Sequence, residues 1–144
     1  MGDDDTAPVL RELDAEECRR LLDQGVVGRV GFTGPDGPVV LPVNYTMCGD
    51  TVLFRTGFGG PMDEDLDTGV AGVELKVAFE VDHIDTVTRE GWSVLVQGAA
   101  HRVTSEEELA TVRATAVEPW PGGERRLYVR VVPTRITGRR VQAG

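Results

Sequence analysis

The chain has 144 residues, 40% of them hydrophobic and 27% charged, the size and make-up of one water-soluble globular domain. Its formal net charge of −9 repels phosphate backbones and argues against a nucleic-acid partner, and no apolar run approaches the ~20 residues a membrane helix needs. The acidic start Met-Gly-Asp-Asp-Asp does not read as a secretory leader, and Cys18 and Cys48 have no zinc-ligand spacing, so a cytoplasmic protein with reduced thiols is expected.

Residues 1–8 read as a disordered polar lead-in to a single domain over residues 9–144. Asp14 is an N-cap candidate, with Glu16 and Glu17 in the first turn, where negative charge suits the helix dipole. Leu13, Cys18, Leu21 and Leu22 give a short apolar stripe that ends at Gly25. Val26 to Phe32 then reads as a strand, and Gly34-Pro35-Asp36-Gly37 as a turn. A second strand follows, with Val39, Leu41, Val43, Tyr45 and Met47 alternating with Val40, Pro42, Asn44 and Thr46. Pro42 cannot donate to a ladder, which predicts an edge, a bulge or a gap there. Cys48-Gly49-Asp50 turns the chain into a third strand, Thr51–Thr56.

Residues 57–72 are rich in glycine and acid and carry at most a weak helix around Met62–Asp67. Lys76–Val81 and Trp92–Val103 read as strands. Ser105 with Glu108 forms a capping-box pattern for a helix reaching about Ala114. Leu127–Val141 is a last strand, interrupted by Pro133. Six strands, two modest helices and hairpin spacing predict a mainly β protein, an antiparallel β-barrel with appended helices.

Gly57-Phe58-Gly59-Gly60 lacks the spacing and the following helix of a phosphate-cradling loop, so it reads as a turn. His83 and His101 read as surface or rim histidines, and Glu80, Asp82 and Asp85 as solvated acids; no metal site is expected. No Ser-His-Asp or Cys-His set appears, and no catalytic side chain is assigned. The feature that packing alone does not account for is polar strand ends: Asn44 and Thr46 on one face, and Arg55-Thr56 ending the next strand. A guanidinium, a hydroxyl and backbone amides together suit a phosphate or another anion; an arginine salt-bridged at the barrel rim is the plainer alternative.

Six segments in order carry a family resemblance: Val27-Gly28-Arg29-Val30-Gly31-Phe32, Val40-Leu41-Pro42-Val43-Asn44-Tyr45, Leu53-Phe54-Arg55-Thr56-Gly57, Val77-Ala78-Phe79-Glu80-Val81-Asp82, Gly91-Trp92-Ser93-Val94-Leu95-Val96-Gln97-Gly98 and Glu118-Pro119-Trp120. From Leu13 to Val141 the chain resembles the FMN-binding split-barrel proteins related to pyridoxamine 5'-phosphate oxidase, in the small branch of nitroimidazole reductase-like proteins. The resemblance implies a six-stranded split barrel and a homodimer holding FMN at the subunit interface. It places Pro42, Val43 and Asn44 along the isoalloxazine, Arg55, Thr56 and Gly57 at the phosphate, and Trp92, Ser93 and Val94 on the flavin or ribityl, partly across the dimer. Trp120 would cap the site. The implied activity is flavin-dependent reduction or oxidation of a small molecule, with NAD(P)H as the electron donor and a small-molecule acceptor. The chain departs from the family at one place: Pro61 or Met62 stands where a phosphate-contacting lysine is usual, followed by Asp63, Glu64, Asp65 and Asp67. That substitution leaves a second reading, a non-enzymatic split barrel that binds flavin, deazaflavin or haem, or a member that has lost FMN.

Overall fold

The computed structural model describes residues 9–56, 75–114 and 127–142. Strand β1 (Val9–Leu13) leads into helix α1 (Ala15–Gln24), followed by β2 (Val27–Gly34), β3 (Gly37–Cys48) and β4 (Thr51–Thr56). Then come β5 (Leu75–Asp85), β6 (Glu90–Arg102), helix α2 (Glu106–Arg113) and β7 (Leu127–Gln142). The caps read from sequence are in place: Asp14 accepts the Glu17 N–H at 2.8 Å and Ser105 Oγ accepts the Glu108 N–H at 3.1 Å, each satisfying one of the orphan amides of a first helical turn.

All described strand pairs are antiparallel. The sheet order is β1-β7-β4-β3-β2-β5-β6, and β6 pairs again with β7, so β7, β4, β3, β2, β5 and β6 close a six-stranded ring. β1 is a seventh strand that sequence patterning misses. Four of its five residues are exposed, so it has no apolar alternation to read, and it exists because Gly138–Gln142 supplies its ladder. Leu13, assigned above to the helical stripe, is instead the buried last residue of this strand.

One edge of β7 pairs with β6 throughout; the other pairs first with β4 (127–131) and then with β1 (138–142). Residues 132–137 have no described strand on that second edge. Pro133 does not interrupt the strand as expected. The β6–β7 register shifts between Gln97 and Gly98, where Gln97 faces Arg135 and Gly98 faces Pro133. The bulge absorbs the missing donor and leaves Thr134 as the extra residue, and its hydroxyl donates to the Gln97 carbonyl at 3.1 Å.

Alternation decides what fills the ring. Val30 and Phe32, Val52 and Phe54, Val77, Phe79 and Val81, Val94 and Val96, and Val129 and Val131 turn inward and are buried. Tyr45 joins them, edge-on to Phe79 with ring centroids 4.9 Å apart. Its hydroxyl donates to the Leu22 carbonyl at the end of α1 at 2.7 Å, and burial pushes its pKa up to about 12. A smaller cluster of Leu53, Val103 and Val112, joined by Leu109, Cys48 and Tyr128, lies on the outer side of β4 and β7 and seats α2 there. No helix among the described residues is long and apolar enough to cross a membrane.

Candidate functional site

Pro42 is explained by the ladder. The Tyr45 N–H donates to the Val26 carbonyl at 3.0 Å, so odd-numbered residues of this part of β3 direct their backbone groups at β2. The even-numbered residues Pro42 and Asn44 direct theirs to the other side. Among the described residues β4 pairs only with Tyr45–Cys48 on that side, so Pro42 sits at an edge position where no described strand asks it for a donor. This settles the edge, bulge or gap alternative in favour of the edge. Val43 points inward against the core, while Pro42, Asn44 and Thr46 lie on the outer face.

Arg55 is on the same outer face, next to buried Leu53 in alternation. Tyr128 is its partner in register on β7, and the guanidinium carbon lies 5.1 Å from the centre of the Tyr128 ring, a cation–π arrangement that holds the side chain along the sheet. The Thr56 backbone pairs with Leu127. Gly57, the Gly57–Gly60 turn, the Met62–Asp67 segment and Trp120 lie outside the described residues.

The three expected contacts on β6 do not share a surface. Val94 is fully buried in the barrel core, so its side chain is not on a ligand-accessible face and only its backbone is left for the assigned contact. Ser93, one residue earlier, points outward into a cavity of about 750 Å³ on the outer face. Trp92 is half-buried at the barrel end and lines a hollow of about 390 Å³ with Val26, Val27, Asp82 and His83. In the ring order β4-β3-β2-β5-β6, Ser93 is three strand spacings from Asn44, about 14 Å of sheet at ~4.8 Å each.

Between these two groups the outer face carries a charged trio. Arg29 on β2 reaches Glu80 at 3.4 Å and Asp82 at 3.2 Å on β5. Glu80 is not the solvated acid expected: its pKa is pushed up to about 7, first by burial and then by the hydrogen bond and charge of Asp82, against the pull of Arg29. A carboxyl with a raised folded-state pKa stabilises the fold below its ordinary value near 4.5 and loses that contribution as pH rises through 7. Glu80→Gln should therefore raise the thermal midpoint at pH 8 by ~3 °C, corresponding to about 1 kcal/mol after discounting for partial solvent screening, and leave it unchanged at pH 4.5. Equal shifts at both pH values in thermal melts would show that Glu80 titrates normally.

Asp85 is an acid of another kind. It accepts the Val87 and Thr88 N–H groups at 2.9 and 3.1 Å, fastening the β5–β6 turn. His101, near the end of β6, is half-buried, its Nε2 3.4 Å from Glu108 Oε1; Arg130 Nε reaches the same oxygen at 3.5 Å, and the pair ties α2 to the barrel wall. His83 is exposed, as expected. Tyr128 under Arg55 is the site residue that sequence reasoning missed as a platform; only the β4–β7 register reveals it.

Comparison with known proteins agrees with this architecture. The family model described as pyridoxamine 5'-phosphate oxidase matches residues 14–140. An uncharacterized Mycobacterium tuberculosis protein, Rv0080, is 34% identical over 132 residues, covering 92% of this chain and 86% of its own. The solved structure of an FAD binding protein from Mycobacterium smegmatis is 36% identical with a TM-score of 0.73, covering 92% of this chain and all of that one (100%). An FAD-binding protein of Mesorhizobium loti has the same fold at 19% identity, with a TM-score of 0.72 and 94% and 99% coverage. The chain belongs to the pyridoxamine 5'-phosphate oxidase family of split-barrel proteins.

Proposed function

We propose that this protein binds a flavin, FMN, at the interface of a homodimer and serves as a flavin-dependent oxidoreductase of a small molecule. The observation that carries the reading is Arg55 laid over Tyr128 on the outer barrel face, at the end of β4 and beside the β3 edge that carries Pro42 and Asn44. The residues fit the group. Arg55 is the residue type for a phosphate, and the backbone groups of Asn44 and the carbonyl of Pro42, directed away from β2, would be hydrogen-bonding partners for a flavin ring. Family membership and the 36% identity to a protein described as FAD binding support it.

A second copy is part of the reading, because Ser93 lies three strands away from Asn44 on one barrel, and a facing barrel brings Ser93 of the partner subunit to the flavin. Exposed Val27, Val40 and Pro42 give the outer face the apolar surface such a contact needs. When bound, the flavin supplies the redox chemistry, taking a hydride from a donor such as NAD(P)H and passing electrons on. The chain's own part is to bind and orient: Arg55 holds the phosphate, β3 positions the ring and the barrel walls limit water. A binding protein without catalysis is the second reading, favoured by Asp63, Glu64, Asp65 and Asp67 where the family carries a lysine.

Titration of the purified protein with FMN and FAD, followed by flavin fluorescence, tests the reading. Saturable quenching at micromolar concentrations, with FMN the tighter ligand, is the expected result, together with a dimer by light scattering. A protein that quenches neither flavin overturns it. Tight binding with neither reduction of the bound flavin by NAD(P)H nor passage of its electrons to a small-molecule acceptor selects the second reading.

A further inference from the structure

Helix α2 is too short to stand alone. Eight residues long, it falls below the ~12–15 that hold an isolated helix in water, and only Glu108, Leu109 and Val112 along it are buried or half-buried. Its place is set by what those three side chains touch. Val112 is fully buried with Leu53 of β4 and Val103, and Leu109 and the Tyr128 side chain pack against that cluster. Glu108 Oε1 lies 3.5 Å from Arg130 Nε, and Arg130 Nη2 reaches Cys48 Sγ at 3.8 Å. The Val103 N–H donates to the Tyr128 carbonyl at 2.9 Å. Tyr128 is thus fastened through its backbone just past the end of β6 and through its side chain to the cluster that seats α2.

The same ring lies under Arg55. The two residues are partners in register on β7 and β4, and the guanidinium carbon is 5.1 Å from the ring centre. Tyr128 and Arg130 point outward on either side of buried Val129, so the ring faces the surface on which Arg55 lies. A cation–π contact engages the guanidinium as a cation and consumes none of its N–H donors. An arginine has much rotamer freedom to lose when it binds an oxyanion, and a platform that restricts it beforehand lowers the cost of ordering it.

We propose, on the flavin reading above, that Tyr128, seated by α2, is a positioning residue for Arg55 and makes the site prefer a flavin carrying a phosphate monoester over the same flavin without one. The ring holds the guanidinium at the end of β4, so that the phosphate meets a fork already in place. The isoalloxazine, placed along β3, gains nothing from the ring, and the effect of Tyr128 is confined to the phosphate.

Fluorescence titration of the full chain with FMN and riboflavin, which share the ring system and differ by the phosphate, tests this role. The parent should bind FMN at least ~10-fold more tightly than riboflavin. Tyr128→Leu should cut that preference by about 2- to 5-fold, the worth of one cation–π contact near the surface, through weaker binding of FMN alone. Tyr128→Phe keeps the ring and should retain the parent's preference. In an Arg55→Ala background there is no guanidinium to hold, so adding Tyr128→Leu should change neither affinity. Tyr128→Met, whose flexible side chain fills irregular apolar space, replaces the leucine variant if that one does not fold. A parent with no preference for FMN overturns the phosphate reading of Arg55 and this role with it. An undiminished preference in folded Tyr128→Leu or Tyr128→Met overturns the role of Tyr128 alone. So do equal losses for FMN and riboflavin, the mark of a merely structural ring, or a loss in Tyr128→Phe as large as in Tyr128→Leu, which would put the effect in the hydroxyl.

Discussion

Gly28→Ala is expected to destabilise the protein by about 2 kcal/mol, while Gly31→Ala, three residues along the same strand, should be neutral or slightly stabilising. Both glycines are in β2, but alternation puts them on opposite faces. Gly28 points into the barrel, where an added Cβ would overlap the Phe79 ring, and Phe79 is fully buried and held edge-on by Tyr45. The ring cannot retreat without displacing other core side chains, and overpacking of this kind costs about 1–3 kcal/mol. The reduced entropy of the unfolded chain returns only ~0.4–1 kcal/mol. At Gly31 the added Cβ meets nothing closer than 3.8 Å, so the unfolded-state gain stands alone. Thermal or urea unfolding of both variants decides the matter: a drop of ~5–8 °C for Gly28→Ala against a midpoint for Gly31→Ala at or above that of the parent. Equal effects would mean that the Phe79 ring has room to move.

This pair also indicates which parts of the fold are legible in the sequence. Strict alternation in β2, β3 and β5 exposes both the strand and its inward face, because a closed barrel buries one side of every strand. The two helices announce themselves through Asp14 and Ser105, whose side chains bond the amides that helix starts leave open. β1 carries no such signal. Its side chains are exposed, and the ladder partner that makes it a strand lies more than a hundred residues away on β7. Pro133 misleads for a related reason: a proline read alone argues against a ladder, and only the opposing Gln97–Gly98 bulge shows how β7 passes through it.

The candidate site divides the same way. Arg55 and Asn44 stand out in sequence because each is a polar residue in a strand that is otherwise apolar, and the register places both on the outer face of adjacent strands. Val94 does not stand out as a core residue, because Trp92-Ser93-Val94-Leu95-Val96 is apolar on both faces and its parity is set by β5, where Val81 is its buried partner. Glu80 reads as an ordinary surface acid until Asp82 and Arg29 are seen around it. Its raised pKa comes from burial and from a neighbour two positions along the strand, and burial is not visible in a pattern of charges.

Arg55→Ala should weaken FMN at least ~10-fold and leave the fold intact. A phosphate loses one charge-assisted contact, and removal of such a partner is worth about 1.5–3 kcal/mol, ample for a tenfold change at 1.4 kcal/mol per decade. The fold loses a cation–π contact with Tyr128, about 0.5–1 kcal/mol, while Leu53 and Phe54, buried beside it, keep β4 in the barrel. Arg55→Lys separates charge from geometry: a lysine keeps the cation but not the planar fork laid over the ring, so its affinity should fall between the two. Salt supplies an independent check. Screening weakens the parent's affinity for FMN more steeply than that of Arg55→Ala, since one of the charges responsible is gone. Fluorescence titration of the three proteins at low and high ionic strength measures both effects. Parent-like affinity and salt dependence in Arg55→Ala would remove Arg55 from the phosphate site and leave it as a rim arginine braced on Tyr128.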